Sequence, residues 1–374
     1  MSNYPSLITF DGSRLPKLKK FANSEGSIQS GFKRRAEEFL EAPRMSVVDR
    51  KLRAPSGNEH DYTSMGPYWW PNPDTSDGLP YVRRDGEINP ETRDSVTYQE
   101  MVTRIFHLSL AAYYYDDARF AKKAVKMIRD WHIEPETYMT PHLEYGQAIP
   151  GYCLGRSIGL IDTKYSYMLF NAIRLLEFIG KIDEDTLTRT KAWYSDFTDW
   201  MLTSEIGIDE DIQPNNHGTW YDVQISAAAL FCDRPTLAAR TLAMAYDRRV
   251  LTNIMPDGAQ PHELKRTRAI SYSSMNLDGL FLLGNMARLN NIEAPYWDNF
   301  EDGECLIARA TEYLYQSCKH FDRFAYQEIS GDPGIDGAVM HVARIAELYP
   351  ASPFAEIVKE ELTDTMDWRI KPIV

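Results

Sequence analysis

The chain has 374 residues, 43% hydrophobic and 25% charged, which is the composition of a folded protein and excludes a disordered one. A formal net charge of −13 excludes a general nucleic-acid binder, which needs a basic surface, yet leaves room for an acidic ligand in a local basic pocket. No apolar run reaches the roughly 20 residues of a membrane span, and the four cysteines, Cys153, Cys232, Cys305 and Cys318, lack metal or CxxC spacing and read as buried free thiols.

In chain order, the opening "MSNYPSLITF" has neither the basic n-region nor the apolar core of a signal peptide. Residues 60–92 are dense in Pro, Gly, Asp and Asn, yet hold Tyr68, Trp69 and Trp70. A long irregular loop with adjacent aromatics is often functional; the alternative is a lid packed on the helices, with Trp70 filling a notch. From about residue 94 the apolar spacing is helical: "SVTYQEMVTRIFHLSLAAYYY" and then "DDARFAKKAVKMIRDWHI". Further helices are predicted near 157–180, 185–204, 217–231, 235–253, 263–290, 303–320, 336–348 and 353–366. Residues 141–163, "PHLEYGQAIPGYCLGRSIGLIDT", interrupt that rhythm with Gly and Pro. Strand patterns are scarce and no strict repeat is present. The pattern predicts an all-α fold of stacked helical hairpins, a solenoid or a closed α/α toroid with the toroid preferred, in one domain over 1–374.

Two stretches carry candidate chemistry. In "PNNHGTWYDVQ", residues 214–224, Asn215 or Asn216 can cap a helix beginning near Gly218. Asn216 adds an amide donor and His217 a group that gives or takes a proton. Tyr221 and Gln224, four and seven residues further on, can share the face of His217. In "HELKRTRAISYSSMNLDGL", residues 262–280, Lys265, Arg266 and Arg268 form a basic cluster in an acidic protein. Tyr272 lies four residues from Arg268 and from Asn276, on one face with each. Arg266 and Tyr272, six apart, lie about 240° around a regular helix and converge only if the helix is irregular there.

"YWWPNP" at 68–73, "NNHG" at 215–218 and "ELKRTRAISYSSMNL" at 263–277, in this order and separation, resemble the alginate lyase superfamily of α/α-toroid polysaccharide lyases. The resemblance implies a catalytic Tyr272, an Asn216–His217 pair facing a uronate carboxylate, and Arg266 as the arginine of an "ExxR" element starting at Glu263. It departs where Ser273 stands in place of an expected histidine and where the Arg-to-Tyr gap is shorter, which suggests a divergent branch. The implied reaction is β-elimination on a 4-linked polyuronate, polymannuronate first and glucuronan next. Preorganised donors steady the carboxylate as charge develops, while tyrosine serves as base and acid, helped by a nearby cation.

Tyr68, Trp69, His142, Gln147, Arg156 and Tyr221 are the expected substrate contacts. The mechanism needs no metal and no cofactor, and the expected partner is an acidic polysaccharide, with no nucleic acid or membrane. An export signal removed beforehand would leave the start seen here, so the expected location is periplasmic or secreted, with the cytoplasm as the alternative. Two other readings compete: an α/α-toroid glycoside hydrolase using two carboxylates, for which Asp222 and Glu263 are candidates, and a non-catalytic glycan-binding protein with no use for Tyr272 beside Arg266.

Overall fold

The computed structural model describes residues 4–300 and 303–361, the side chains of 93–95 apart. Its contacts fall into two compact units, residues 1–212 with 227–238 and residues 213–226 with 239–374.

In the first unit, α1 (Leu15–Ala22) and α2 (Ser27–Glu41) precede the helices expected from periodicity. Neither declares itself in the sequence, because α2 is largely polar and buries only Ala36. Leu7, Leu15 and Leu18 close a cluster with Leu110, Tyr114 and Leu175. Helices α3 (Thr97–Tyr115) and α4 (Ala118–His132) form a hairpin. Asp116 ends α3 in the left-handed conformation, and the Asp117 side chain accepts from the Arg119 N–H to start α4. The order continues with α5 (Ser166–Phe178), α6 (Glu184–Thr203) and α7 (Glu205–Asp211), α6 being capped by Asp183 and α7 by Ser204. The helix expected at 157–180 starts instead as a 3-10 turn over Ser157–Thr163. A side chain at Gly159 would lie 2.5 Å from the Gly146 backbone, so bare glycine lets the two segments touch.

The aromatic loop at 60–92 holds short strands. β1 (Thr63–Met65) runs parallel to β4 (Tyr145–Ala148), and β2 (Trp69–Trp70) pairs antiparallel with β3 (Val82–Arg83). Trp70 is pinned by its indole N–H, which donates to the Glu87 carbonyl at 3.1 Å, and by the Arg84 guanidinium 5.1 Å from its ring centre. Buried Asn89 ties the loop further, donating from its backbone N–H to Pro67 O and from Nδ2 to Trp69 O.

Helix α8 (Asn216–Phe231) begins in the second unit and α9 (Pro235–Ala245) ends there. The helix expected at 235–253 is interrupted by a π-helical turn, Tyr246–Val250, before α10 (Leu251–Asn253). That at 263–290 is split into α11 (Pro261–Leu264) and α12 (Ala269–Leu289). α13 (Leu306–Lys319), α14 (Asp336–Leu348) and α15 (Pro353–Glu361) follow; the part of the 353–366 expectation beyond residue 361 lies outside the described residues. The helices carry buried residues at helical spacing, as Tyr272, Ser273, Asn276, Leu277 and Leu280 do on α12. The α8 and α12 backbones approach closely where Gly279 faces Thr219, and the Trp220 indole N–H donates to Met275 O at 3.2 Å. Among the described residues no helix is long and apolar enough to cross a membrane.

Candidate active site

All four expected catalytic residues fall in the second unit. Asn215 is the cap: its side-chain oxygen accepts from the His217 N–H at 3.0 Å, freeing Asn216 to open the helix. Asn216, fully buried, donates from its backbone N–H to Glu263 Oε1 and from Nδ2 to Glu263 Oε2, both at 2.7 Å. Its Oδ1 has no hydrogen-bond partner among the described residues. Burial pushes the Glu263 carboxyl above its usual range, against the two Asn216 bonds and the nearby His217 and Arg266 charges. Gly218 is required next: a Cβ there would lie 2.2 Å from Gln213 O and 2.4 Å from an Arg249 guanidinium nitrogen.

The break between α11 and α12 delivers Arg266. Residues 267–269 are held by a distant segment: Ala269 N–H donates to Gln327 O and Ile329 N–H to Thr267 O. Glu328 Oε2 accepts from the Ile270 and Ser271 N–H groups at 3.0 and 3.2 Å, neutralising the start of α12. In this turn Arg266 leaves the helical path, so the 240° separation no longer applies. Its Nη2 donates to the Tyr272 hydroxyl at 2.9 Å, and the guanidinium carbon lies 3.8 Å from the ring centre. A hydrogen bond and a positive charge on one phenol both favour its anion. Tyr272 and His217 are 8% and 9% exposed, so each keeps only a small opening to solvent. Asn276, on the Tyr272 face, donates instead to Gln260 Oε1, and Gln260 Nε2 donates to Ser273 O. Tyr221 and Gln224 are buried, Gln224 donating back to Trp220 O.

The two acids weighed for hydrolysis are committed elsewhere. Asp222 forms a buried ion pair with Arg249 at 2.6 Å, the arginine coming from the π-helical turn, and Glu263 holds Asn216.

In the first unit, the structure brings Trp69, Gln147 and Arg156 together. Arg156 donates from Nε to Gln147 O at 3.1 Å and from Nη2 to Gln147 Oε1 at 3.0 Å. A Cβ at Gly66 would meet both Trp69 and Arg156, at 2.7 and 3.0 Å. Tyr152, passed over in the sequence, is 63% exposed and lies 5.5 Å from Trp69, centre to centre. Tyr68 is half-buried, its carbonyl accepting from Arg84 N–H. His142 sits 3.2 Å from the Asp61 carboxylate and edge-on to Tyr145.

Fold and family comparison together assign the chain to the α/α-toroid polysaccharide lyases. A family model described as Alginate lyase matches residues 46–324. The crystal structure of an alginate lyase from Bacteroides ovatus matches at 33% identity and a TM-score of 0.89, over 95% of each chain. The chain belongs to the alginate lyase family. Alginate lyase A1-III from Sphingomonas species A1, at 14% identity and a TM-score of 0.57 over 91% of this chain and 88% of that one, shares the fold. A tyrosine-to-phenylalanine variant of A1-III complexed with a tetrasaccharide matches at 12% identity and a TM-score of 0.59, over 92% and 90%. No curated protein matches.

Proposed function

We propose that this polysaccharide lyase cleaves a 4-linked polyuronate by β-elimination, with polymannuronate the first candidate and glucuronan the next, and that Tyr272 is both base and acid. The observation that carries the reading is the Arg266 guanidinium bonded to the Tyr272 hydroxyl and lying over its ring. An arginine so placed stabilises negative charge on the phenol oxygen as the proton leaves, which a binding module would not need.

The Tyr272 phenolate takes the C5 proton. The electron pair passes into the C5–carboxylate system and then forms the C4–C5 double bond as the C4–O4 bond breaks, and the phenol returns its proton to O4. Charge accumulates on the substrate carboxylate, and Asn216, His217 and Arg266 are the groups assigned to neutralise it. Glu263 fixes the Asn216 amide in advance, so no reorganisation is needed as charge develops. In mannuronate and glucuronate the C5 hydrogen and C4 oxygen share a face, so one tyrosine suffices. Guluronate is inverted at C5 and needs a base on the opposite face, for which His217 is the candidate. Tyr68, Trp69, Arg156, His142 and Tyr221 are the proposed sugar contacts, and the periplasm or the cell exterior is the proposed location.

Offering polymannuronate, polyguluronate and glucuronan separately, and following the ultraviolet absorbance of the new conjugated double bond, tests this. A rise with polymannuronate, or with glucuronan, is expected. No rise with any uronate polymer over a range of pH and salt would overturn elimination.

A further inference from the structure

In the first unit, Gln147 is 5% exposed and both ends of its amide are occupied, Oε1 by Arg156 and Nε2 by Asp162 Oδ1 at 3.0 Å. Such a side chain holds something else in place. It does so from a conformation that side chains rarely adopt, with φ at +50°, a local cost that persists only where the surroundings enforce it. The surroundings are identifiable: Ser64 Oγ accepts from Gln147 N–H at 2.8 Å and itself donates to Asp162 Oδ2 at 2.5 Å. Tyr62 donates to the same oxygen at 3.0 Å. Asp162 is thus a buried carboxylate with three donors, Ser64, Tyr62 and Gln147 itself, and Ser64 also grips the Gln147 backbone.

At the far end of this chain sits Arg156. Two of its N–H groups go to Gln147, and among the described residues no carboxylate lies within ion-pair distance of it. Asp162 and Glu210 act on this arginine only from beyond ion-pair distance, which leaves its fork of donors suited to an anion supplied from outside. Its neighbours suit a sugar acid. Trp69 and Arg156 both border Gly66, exposed Tyr152 flanks Trp69, and Arg83, the register partner of Trp69, is near but already paired with Asp85 at 2.6 Å. Aromatic rings offer faces to the apolar side of a pyranose, and a fork of N–H donors matches a carboxylate.

We infer that Arg156 binds a uronate carboxylate beside a Trp69–Tyr152 ring pair, and that Gln147 and Asp162 are positioning residues that aim it. This rests on the polyuronate reading above but adds residues and roles to it. Gln147 touches no sugar and acts through Arg156.

The test uses the full chain carrying Tyr272→Phe, so that ligand is bound without turnover, with calorimetric titration of a mannuronate oligosaccharide and of the same oligosaccharide with its carboxyls reduced. Gln147→Gly is the informative variant, because glycine accepts the positive φ and keeps the carbonyl that receives Arg156 Nε, while removing the amide that holds Nη2 and so fixes the direction of the fork. Arg156→Ala is expected to weaken binding of the acidic oligosaccharide on the order of tenfold or more, as loss of a charged hydrogen bond does. Gln147→Gly should reproduce most of that loss, the double variant should bind no more weakly than Arg156→Ala alone, and the reduced oligosaccharide should not distinguish Arg156→Ala from its parent. Tyr152→Ala should weaken both ligands. Unchanged affinity in Gln147→Gly, or additive losses in the double variant, would overturn the positioning role. No binding of the acidic oligosaccharide would overturn the receptor. Failure of elimination itself registers separately, as missing product from the chain with Tyr272 intact.

Discussion

Arg266 and Tyr272 are six residues apart, about 240° around any regular helix, and are nevertheless joined by a 2.9 Å hydrogen bond with the guanidinium over the phenol ring. The four-residue break between α11 and α12 makes this possible, and the bridge between Arg268 and Glu328 holds the break open. Arg266→Met removes both the charge and the donor. We expect kcat to fall on the order of 100- to 1000-fold, as for loss of one preorganised donor, with KM changed much less. Arg266→Lys should recover part of the rate, since it keeps charge but not the planar fork. Steady-state kinetics on polymannuronate decides; a change confined to KM would make Arg266 a binding group only.

Glu263 accepts from both nitrogens of Asn216, and a glutamine there would turn one acceptor into a donor facing another donor. The cost of such a buried mismatch is about 1–3 kcal/mol. Glu263→Gln is expected to lower kcat by up to about 100-fold, the same energy expressed as a rate. Thermal melting and kinetics on the same sample separate lost orientation from lost folding.

Asp222 and Arg249 have side chains 2% and 4% exposed. Asp222→Asn strands a buried guanidinium and should destabilise the protein by about 3–5 kcal/mol, read as a lowered denaturant midpoint. If the variant were as stable as the parent and lacked turnover, Asp222 would be a catalytic acid and the hydrolase reading would return.

His132 is buried as the neutral ring: Nδ1–H donates to Ile128 O and Nε2 accepts from the Tyr194 hydroxyl. Burial pulls its pKa down from 6.5 to about 4. The unfolded chain therefore takes up this proton before the folded one, and stability is lost as pH falls from the first value toward the second. His132→Gln should cost stability at neutral pH through its lost bonds. Its deficit relative to the parent should then shrink by up to about 1.4 kcal/mol per pH unit below the ordinary histidine value. Thermal melts of both proteins between neutral pH and pH 4 provide the check.

Much of this was legible before the structure. The helical spacing of α3, α4 and α12 is strong because each buries a full stripe, and Asn216, His217 and Tyr272 stand in short motifs near helix starts. The convergence of Arg266 on Tyr272 was not, because residues 327–329, some sixty positions away, impose the break. Nor does spacing reveal the Gln147 backbone conformation, which buried Asp162 and Ser64 enforce from separate segments. Tyr152 was passed over because an exposed tyrosine in a Gly-Pro turn carries no periodic signal. Helix α1 escaped because eight residues are too short for a clear period, although it buries Leu15 and Leu18, and α2 because polar residues dominate it and only Ala36 is buried.

The central claim is that Tyr272 moves the proton. The most direct measurement is the rate of ultraviolet-absorbing product formation from polymannuronate by the parent and by Tyr272→Phe, with oligosaccharide affinity measured on both. The account predicts abolished turnover with binding retained, because phenylalanine keeps the ring under Arg266 and removes only the hydroxyl. Turnover at the parent rate in Tyr272→Phe would contradict it.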